Sequence, residues 1–139
     1  MAITHKVGLF TAGMDGYHNY RIPGIVTAAD GSILAYCEAR HGTGSDWDPI
    51  DIQMRRSRDD GLTWDAPVTL VNHADFEGGG VHNVVLTVDQ DTGGLHALFC
   101  LNYARVFYMS STDNGQSFCD PIEITRVFDC FRTSYPWKV

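Results

Sequence analysis

Short apolar and alternating runs, separated by turn residues, organise the chain from end to end. Ile22–Ala28 is apolar and β-branched, Asp30-Gly31 follows, and Ser32–Glu38 comes next. An Asp-Gly pair between two such runs predicts a β-hairpin. His41 to Pro49 is rich in Gly, Ser and Asp and reads as a long loop. Asp51–Arg56 sets Ile52, Met54 and Arg56 against Asp51, Gln53 and Arg55, the period of a strand. Ser57–Trp64 reads as a turn and Pro67–Val71 as a strand. The cycle recurs after Gly78-Gly79-Gly80, which reads as a flexible joint. Strands are expected over Asn83–Val88, Leu95–Asn102, Val106–Ser111 and Pro121–Thr125, with turns over Asp89–Gly94 and Thr112–Phe118. A further strand is expected around Val7–Phe10. Gly and β-branched residues interrupt every window of helical length, so no helix is expected.

The two cycles share one nearly literal element. Ser57-Arg58-Asp59-Asp60-Gly61-Leu62-Thr63-Trp64 matches Ser111-Thr112-Asp113-Asn114-Gly115-Gln116-Ser117-Phe118, 54 residues later. Both read S-x-D-x-G-x-S/T-aromatic. Gly supplies a positive φ, the Asp side chain accepts backbone N–H groups, and the aromatic ring anchors the turn. Four strands with a periodic turn motif predict a β-propeller blade. The chain is therefore expected to be all-β, with blades near 20–73 and 80–127. Propellers close with roughly 4–8 blades, so 139 residues look like the N-terminal part of a longer protein. A compact two-blade domain, with exposed sheet edges, is the alternative.

Charge narrows the partners. Ten Lys+Arg against 17 Asp+Glu leave a net charge of −7, which argues against nucleic acid. No apolar run approaches the roughly 18 residues that span a bilayer, so no membrane partner is expected. No signal peptide is visible, and a cytoplasmic location is the default if Met1 is the true start. Cys37, Cys100, Cys119 and Cys130 form no CxxC, and Cys37 and Cys100 read as buried thiols. No His/Cys/Asp group shows ligand spacing, so neither metal nor cofactor is expected.

Several motifs together resemble the sialidase (neuraminidase) superfamily. The two turns resemble its Asp-box. Tyr20-Arg21-Ile22-Pro23 resembles its F/Y-R-I-P motif, and Glu38-Ala39-Arg40 its D/E-x-R. His41-Gly42-Thr43-Gly44-Ser45-Asp46 resembles the loop that carries the acid/base aspartate. The resemblance implies a six-bladed propeller, of which about two four-stranded blades are present. It also implies a bacterial-type exo-α-sialidase, which releases terminal sialic acids from glycoconjugates with retention. A related sugar acid is an alternative substrate.

The resemblance makes Asp46 the acid/base, Arg21 the first of three arginines on the substrate carboxylate, and Arg40 a contact to the sugar's 4-position. Arg suits a carboxylate because its guanidinium offers two parallel donors and stays charged. The alternative for Arg40 is a salt bridge to Glu38 or Asp51. A general acid needs a raised or tuned carboxyl. Asp48 and Asp51 compete with Asp46 by chemistry alone. Asn83 falls where many sialidases carry an aspartate, a departure that points to altered substrate preference. His41 and His82 read as bystanders, Trp47 as rim or loop cover, and Trp64 and Phe118 as structural. The tyrosine nucleophile, its glutamate and two further arginines have no matching motif here; Tyr103, Tyr108 and Tyr135 lie outside any. The isolated chain is thus expected to be inactive. A non-catalytic propeller that binds sugar or protein, or a truncated inactive fragment, are the competing readings.

Overall fold

The computed structural model describes residues 6–131. Among the described residues, eight strands form two four-stranded antiparallel sheets. The first holds β1 (Asn19–Thr27), β2 (Ile33–Arg40), β3 (Ile50–Ser57) and β4 (Val68–Val71) in sequential order. The second holds β5 (Val81–Val88), β6 (Leu95–Leu101), β7 (Arg105–Ser111) and β8 (Ile122–Glu123), again sequentially. β1 and β5, the first strand of each sheet, lie in contact.

Alternation decides which faces are covered. β6 and β7 alternate buried residues with mostly half-buried ones, whereas β2 and β3 are buried almost throughout. One core joins the sheets through Leu34, Tyr36, Ile52, Met54, Val84, Leu86, Leu95 and Phe99. Burying each large apolar side chain contributes about 1.5–3 kcal/mol. Phe99 and Phe107 stack with centroids 5.3 Å apart, and Phe76 packs edge-on against both. The opposite side of β2, at Ala35 and Cys37, meets Leu9 and Phe10 across a small cleft. Gly24 is required by close packing, because a Cβ there would lie 2.1 Å from the Tyr36 ring. The Tyr36 hydroxyl accepts the Leu86 N–H at 3.1 Å, a buried bond between the sheets.

The two repeated turns share one hydrogen-bond plan. Ser57 Oγ donates to Asp59 Oδ1 and accepts the Gly61 N–H, both at 2.8 Å. Asp59 in turn accepts the Thr63 N–H at 2.8 Å and its hydroxyl at 2.6 Å. Ser111, Asp113, Gly115 and Ser117 repeat the four bonds at 2.7, 2.8, 2.9 and 2.6 Å. Those donors hold the Asp59 and Asp113 carboxyls below the usual carboxylate range, the Thr63 and Ser117 hydroxyls contributing most. Arg56 of β3 crosses to the second turn and donates to the Asn114 carbonyl at 2.6 Å.

Three expectations need correction. Val7–Phe10 forms no strand; Phe10 instead packs on Tyr20 with centroids 5.3 Å apart. The last strand is only Ile122–Glu123, because the Thr125 hydroxyl bonds Val106 N and Glu123 Oε1 and starts a 3₁₀ segment over Thr125–Phe131. A second 3₁₀ turn spans His73–Asp75, capped by the Asn72 side chain, so helical turns are present after all. Within Gly78–Gly80 the chain approaches its neighbours closely: a Cβ on Gly80 would lie 2.9 Å from the Asp48 carbonyl oxygen. Among the described residues no helix is long and apolar enough to cross a membrane. Cys37 is buried, Cys100 half-buried, and Cys119 and Cys130 are exposed. Tyr135 lies outside the described residues.

Candidate functional site

The first strand of each sheet carries an irregularity at the same place. β1 breaks register between Arg21 and Gly24, and β5 between His82 and Val85. Ile22 and Asn83 sit in these bulges, each with φ of 53°. A positive φ is costly for a β-branched residue, so Ile22 marks local strain, held by its surroundings. The bulges aim neighbouring side chains and free backbone groups from the ladder.

Glu38 and Arg40 stand on the same face of β2, two residues apart, and Arg21 pairs across the ladder with Glu38. Arg40 is 1 % exposed and Glu38 is fully buried. Glu38 Oε2 accepts from Arg40 Nη2 at 2.6 Å and from Nε at 3.1 Å. The other Glu38 oxygen accepts the backbone N–H of Asn83 at 3.0 Å. Arg40 Nη1 also donates to the Gly44 carbonyl at 3.2 Å and to Asp46 Oδ1. Arg21 Nη1 reaches the same oxygen at 3.3 Å, with Arg21 and Asp46 both about half exposed.

Electrostatics follow from this arrangement. Burial pushes the Arg40 guanidinium down, but the bonds to Glu38 and Asp46 outweigh it and hold it above its ordinary value. The Arg40 bond and charge, then Arg21, hold the Asp46 carboxyl below the usual range. Of the raised or tuned carboxyl expected of a general acid, this geometry gives one tuned downward. Asp46 here is an ionised partner of two arginines.

The three candidate aspartates separate cleanly in space. Asp48 caps its own loop, accepting from Thr43 N at 2.8 Å, Thr43 Oγ1 at 2.9 Å and Ser45 N at 3.0 Å. Asp51, on β3, lies between two imidazoles: His41 Nε2 at 2.9 Å and His73 Nδ1 at 2.6 Å. It also accepts the His73 N–H and the Tyr17 hydroxyl. Burial pushes the Asp51 carboxyl up, but those donors prevail and hold it low. Arg40 thus pairs with Glu38 and Asp46, leaving Asp51 to the histidines. The absence of ligand spacing along the chain does not preclude a grouping in space. His41, Asp51 and His73 bring one ligand atom each within 4.8 Å of one another, at spacings along the chain that match no motif.

Beside Asp46, His82 is fully buried with both ring nitrogens unpartnered. Burial holds its imidazole below the ordinary value. Its ring stacks on Tyr103 at 4.2 Å, and Trp47 meets Tyr103 edge-on at 5.8 Å. This stack joins the loop His41–Pro49 to the β6–β7 hairpin. The sequence held no pattern for it, since the three residues come from separate turns and strands. The Asn83 side chain is exposed beside the cluster, 3.9 Å from Cys100 Sγ. A cleft of about 610 Å³ lies away from these groups, among Met54, Val71, Phe76, Met109 and Phe118.

Two sequential four-stranded sheets, joined through their first strands and closed by matching turns, define blades of a sialidase-type β-propeller. The Hadza microbial sialidase Hz136 superposes with a TM-score of 0.75 at 28 % identity, over 86 % of this chain and 28 % of that one. NanB sialidase from Streptococcus pneumoniae shares the fold, with a TM-score of 0.58 at 20 % identity, over 73 % of this chain and 18 % of its own. In sequence, a sialidase of Bacteroides fragilis is 28 % identical over 89 % of this chain. One of Paraclostridium sordellii is 30 % identical over 76 % of it. The chain spans 28 % and 30 % of the lengths of these two relatives. No family model matches. Fold and sequence likeness both support kinship of this chain with the sialidase superfamily.

Proposed function

We propose that the Asp46 cluster is the acid/base corner of a retaining exo-α-sialidase site acting on sialylated glycoconjugates or a related sugar acid. The observation that carries this reading is the single Asp46 oxygen shared between Arg21 and Arg40. Arg21, exposed on β1, would hold the substrate carboxylate. Asp46 would protonate the leaving glycosidic oxygen. Arg40 sits beneath Asp46, and reaching the sugar's 4-position would require Asp46 to move aside. Asn83 would offer an amide to a hydroxyl. The two sheets, near residues 20–73 and 80–127, would be two blades of the ring, and the nucleophile would come from another part of the protein.

The low carboxyl of Asp46 fits this chemistry through competition. A substrate carboxylate entering Arg21 takes the Nη1 donor that Asp46 now shares. Losing that partner and gaining a nearby negative charge both raise Asp46 toward protonation. Substrate binding would thus prepare its own acid.

The test is turnover of two fluorogenic sialosides by the full-length protein, one with a good and one with a poor leaving group. Acid assistance is worth about 10²–10⁴-fold. Asp46→Ala should lose that much with the poor leaving group and far less with the good one. Wild-type turnover of both by Asp46→Ala would overturn the assignment. The ionised state of Asp46 also suits a second reading, a non-catalytic module that binds sugar or protein. That reading predicts no wild-type turnover and ligand binding that survives Asp46→Asn. A truncated product without activity is the third reading, and predicts neither.

A further inference from the structure

We propose that His41, Asp51 and His73 form a binding site for a divalent transition-metal ion, zinc by preference, at the base of the loop that carries Asp46. The three residues lie at or just beyond the ends of three neighbouring strands, at one end of the first sheet. His41 directly follows β2, Asp51 lies in β3, and His73 follows β4 by two residues. His41 Nε2 faces Asp51 Oδ2 and His73 Nδ1 faces Oδ1, so both imidazoles converge on one carboxylate. Their rings lie 5.0 Å apart at 60°.

The spacing suits zinc. Bonds of about 2.0–2.1 Å to nitrogen and oxygen put neighbouring ligand atoms of a tetrahedron about 3.3 Å apart. The nitrogens here stand 2.9 and 2.6 Å from the carboxylate oxygens, and all three ligand atoms lie within 4.8 Å. Small ring movements bring both distances to the tetrahedral value. Two imidazoles and one carboxylate are borderline donors that suit zinc, whereas calcium takes six to eight oxygens. Each imidazole would carry its hydrogen on the far ring nitrogen and give the facing lone pair to the metal. Any proton in excess of that is released to water.

The surroundings support a metal. Asp51 is 6 % exposed while His41 and His73 are 33 % and 29 % exposed, so the site is anchored inside and open outside. The open side admits the ion and leaves room for water as fourth ligand. On the inner side the Tyr17 hydroxyl and the His73 N–H bond the carboxylate, and Gln53 Nε2 bonds the Tyr17 oxygen at 2.8 Å. Such outer partners orient metal ligands. His41 N also donates to the Pro49 carbonyl at 3.0 Å, closing the neck of the loop that holds Asp46. A metal on His41 therefore braces that neck.

The test is a cobalt(II) titration of the chelator-treated full-length protein, followed by visible absorption and then displaced with zinc. One equivalent should give the intense band of four- or five-coordinate cobalt, and His41→Ala and His73→Ala should each weaken binding at least tenfold. Only the weak band of hexa-aqua cobalt, or a strong band unchanged in both variants, overturns the proposal. X-ray absorption of the zinc-loaded wild type gives a readout that needs no variant. Two imidazoles with oxygen ligands support the site, and sulfur ligation or a purely aqueous shell overturns it.

Discussion

Glu38 and Asn83 are joined across the two sheets: the buried carboxylate accepts the Asn83 backbone N–H at 3.0 Å while its other oxygen holds Arg40. One carboxylate therefore serves both the bulge of β5 and the arginine beneath Asp46. The bulge exists at a cost in ladder bonding, and Glu38 replaces the acceptor that the ladder no longer offers.

Removing that carboxylate should be severe. Glu38→Leu leaves the Arg40 guanidinium buried with only Asp46 and Gly44 as partners, a change worth about 3–5 kcal/mol. Glu38→Gln keeps an acceptor for Asn83 and should cost less. Urea unfolding of both variants checks the order. Equal stability of wild type and Glu38→Leu would show that the pair is dispensable.

Gly24→Ala should destabilise by about 1–3 kcal/mol, the usual range for overpacking. The new methyl meets the Tyr36 ring at 2.1 Å and would shift the hydroxyl from Leu86 N. Adding Tyr36→Leu should recover part of the loss in a double-mutant cycle. Additive costs would place the defect elsewhere.

The paired turns should give acid sensitivity. Asp59 and Asp113 have folded values below their unfolded ones, which lie at about 3.9. Their stabilisation is complete above the unfolded value and is lost as pH falls through the folded values. Asp59→Asn with Asp113→Asn should therefore lower stability at pH 7 and flatten the acid limb that begins near about pH 4. Thermal unfolding across pH 2–7 measures it. Parallel curves for wild type and variant would deny these two carboxyls the role.

Arg21→Ala should affect substrate capture. A hydrogen bond to a charged group is worth about 1.5–3 kcal/mol, or roughly 10- to 150-fold in kcat/KM. Arg21→Lys should recover only part, because an ammonium lacks the two parallel donors. Steady-state kinetics on a sialoside decide it, and wild-type kcat/KM in Arg21→Ala would remove Arg21 from the site. Loss of Arg21 also removes one positive neighbour of Asp46, so the Asp46 carboxyl should titrate higher by NMR.

Local chemistry was legible in the chain. Both S-x-D-x-G turns, the Asp30-Gly31 hairpin and the alternation of Asp51–Arg56 act over a few residues, where side chain, φ and hydrogen bond are set by near neighbours. The motif around Arg21, the triplet ending in Arg40 and the loop of Asp46 were visible through their resemblance to one family, and the structure brings all three together. The end of β8 was misread because Thr125 captures Val106 N, a partner 19 residues away.

What the sequence by itself determined was the order of strands, the two turn geometries and the likeness to one family. The company each charged group keeps was decided only by tertiary structure. Asp46, Asp48 and Asp51 are chemically alike and lie within six positions. One faces two arginines, one its own loop, and one a pair of imidazoles. Proton affinity and ligand geometry depend on charges and burial through space, and for Asp51 residues far apart along the chain, Tyr17 and His73, supply much of both.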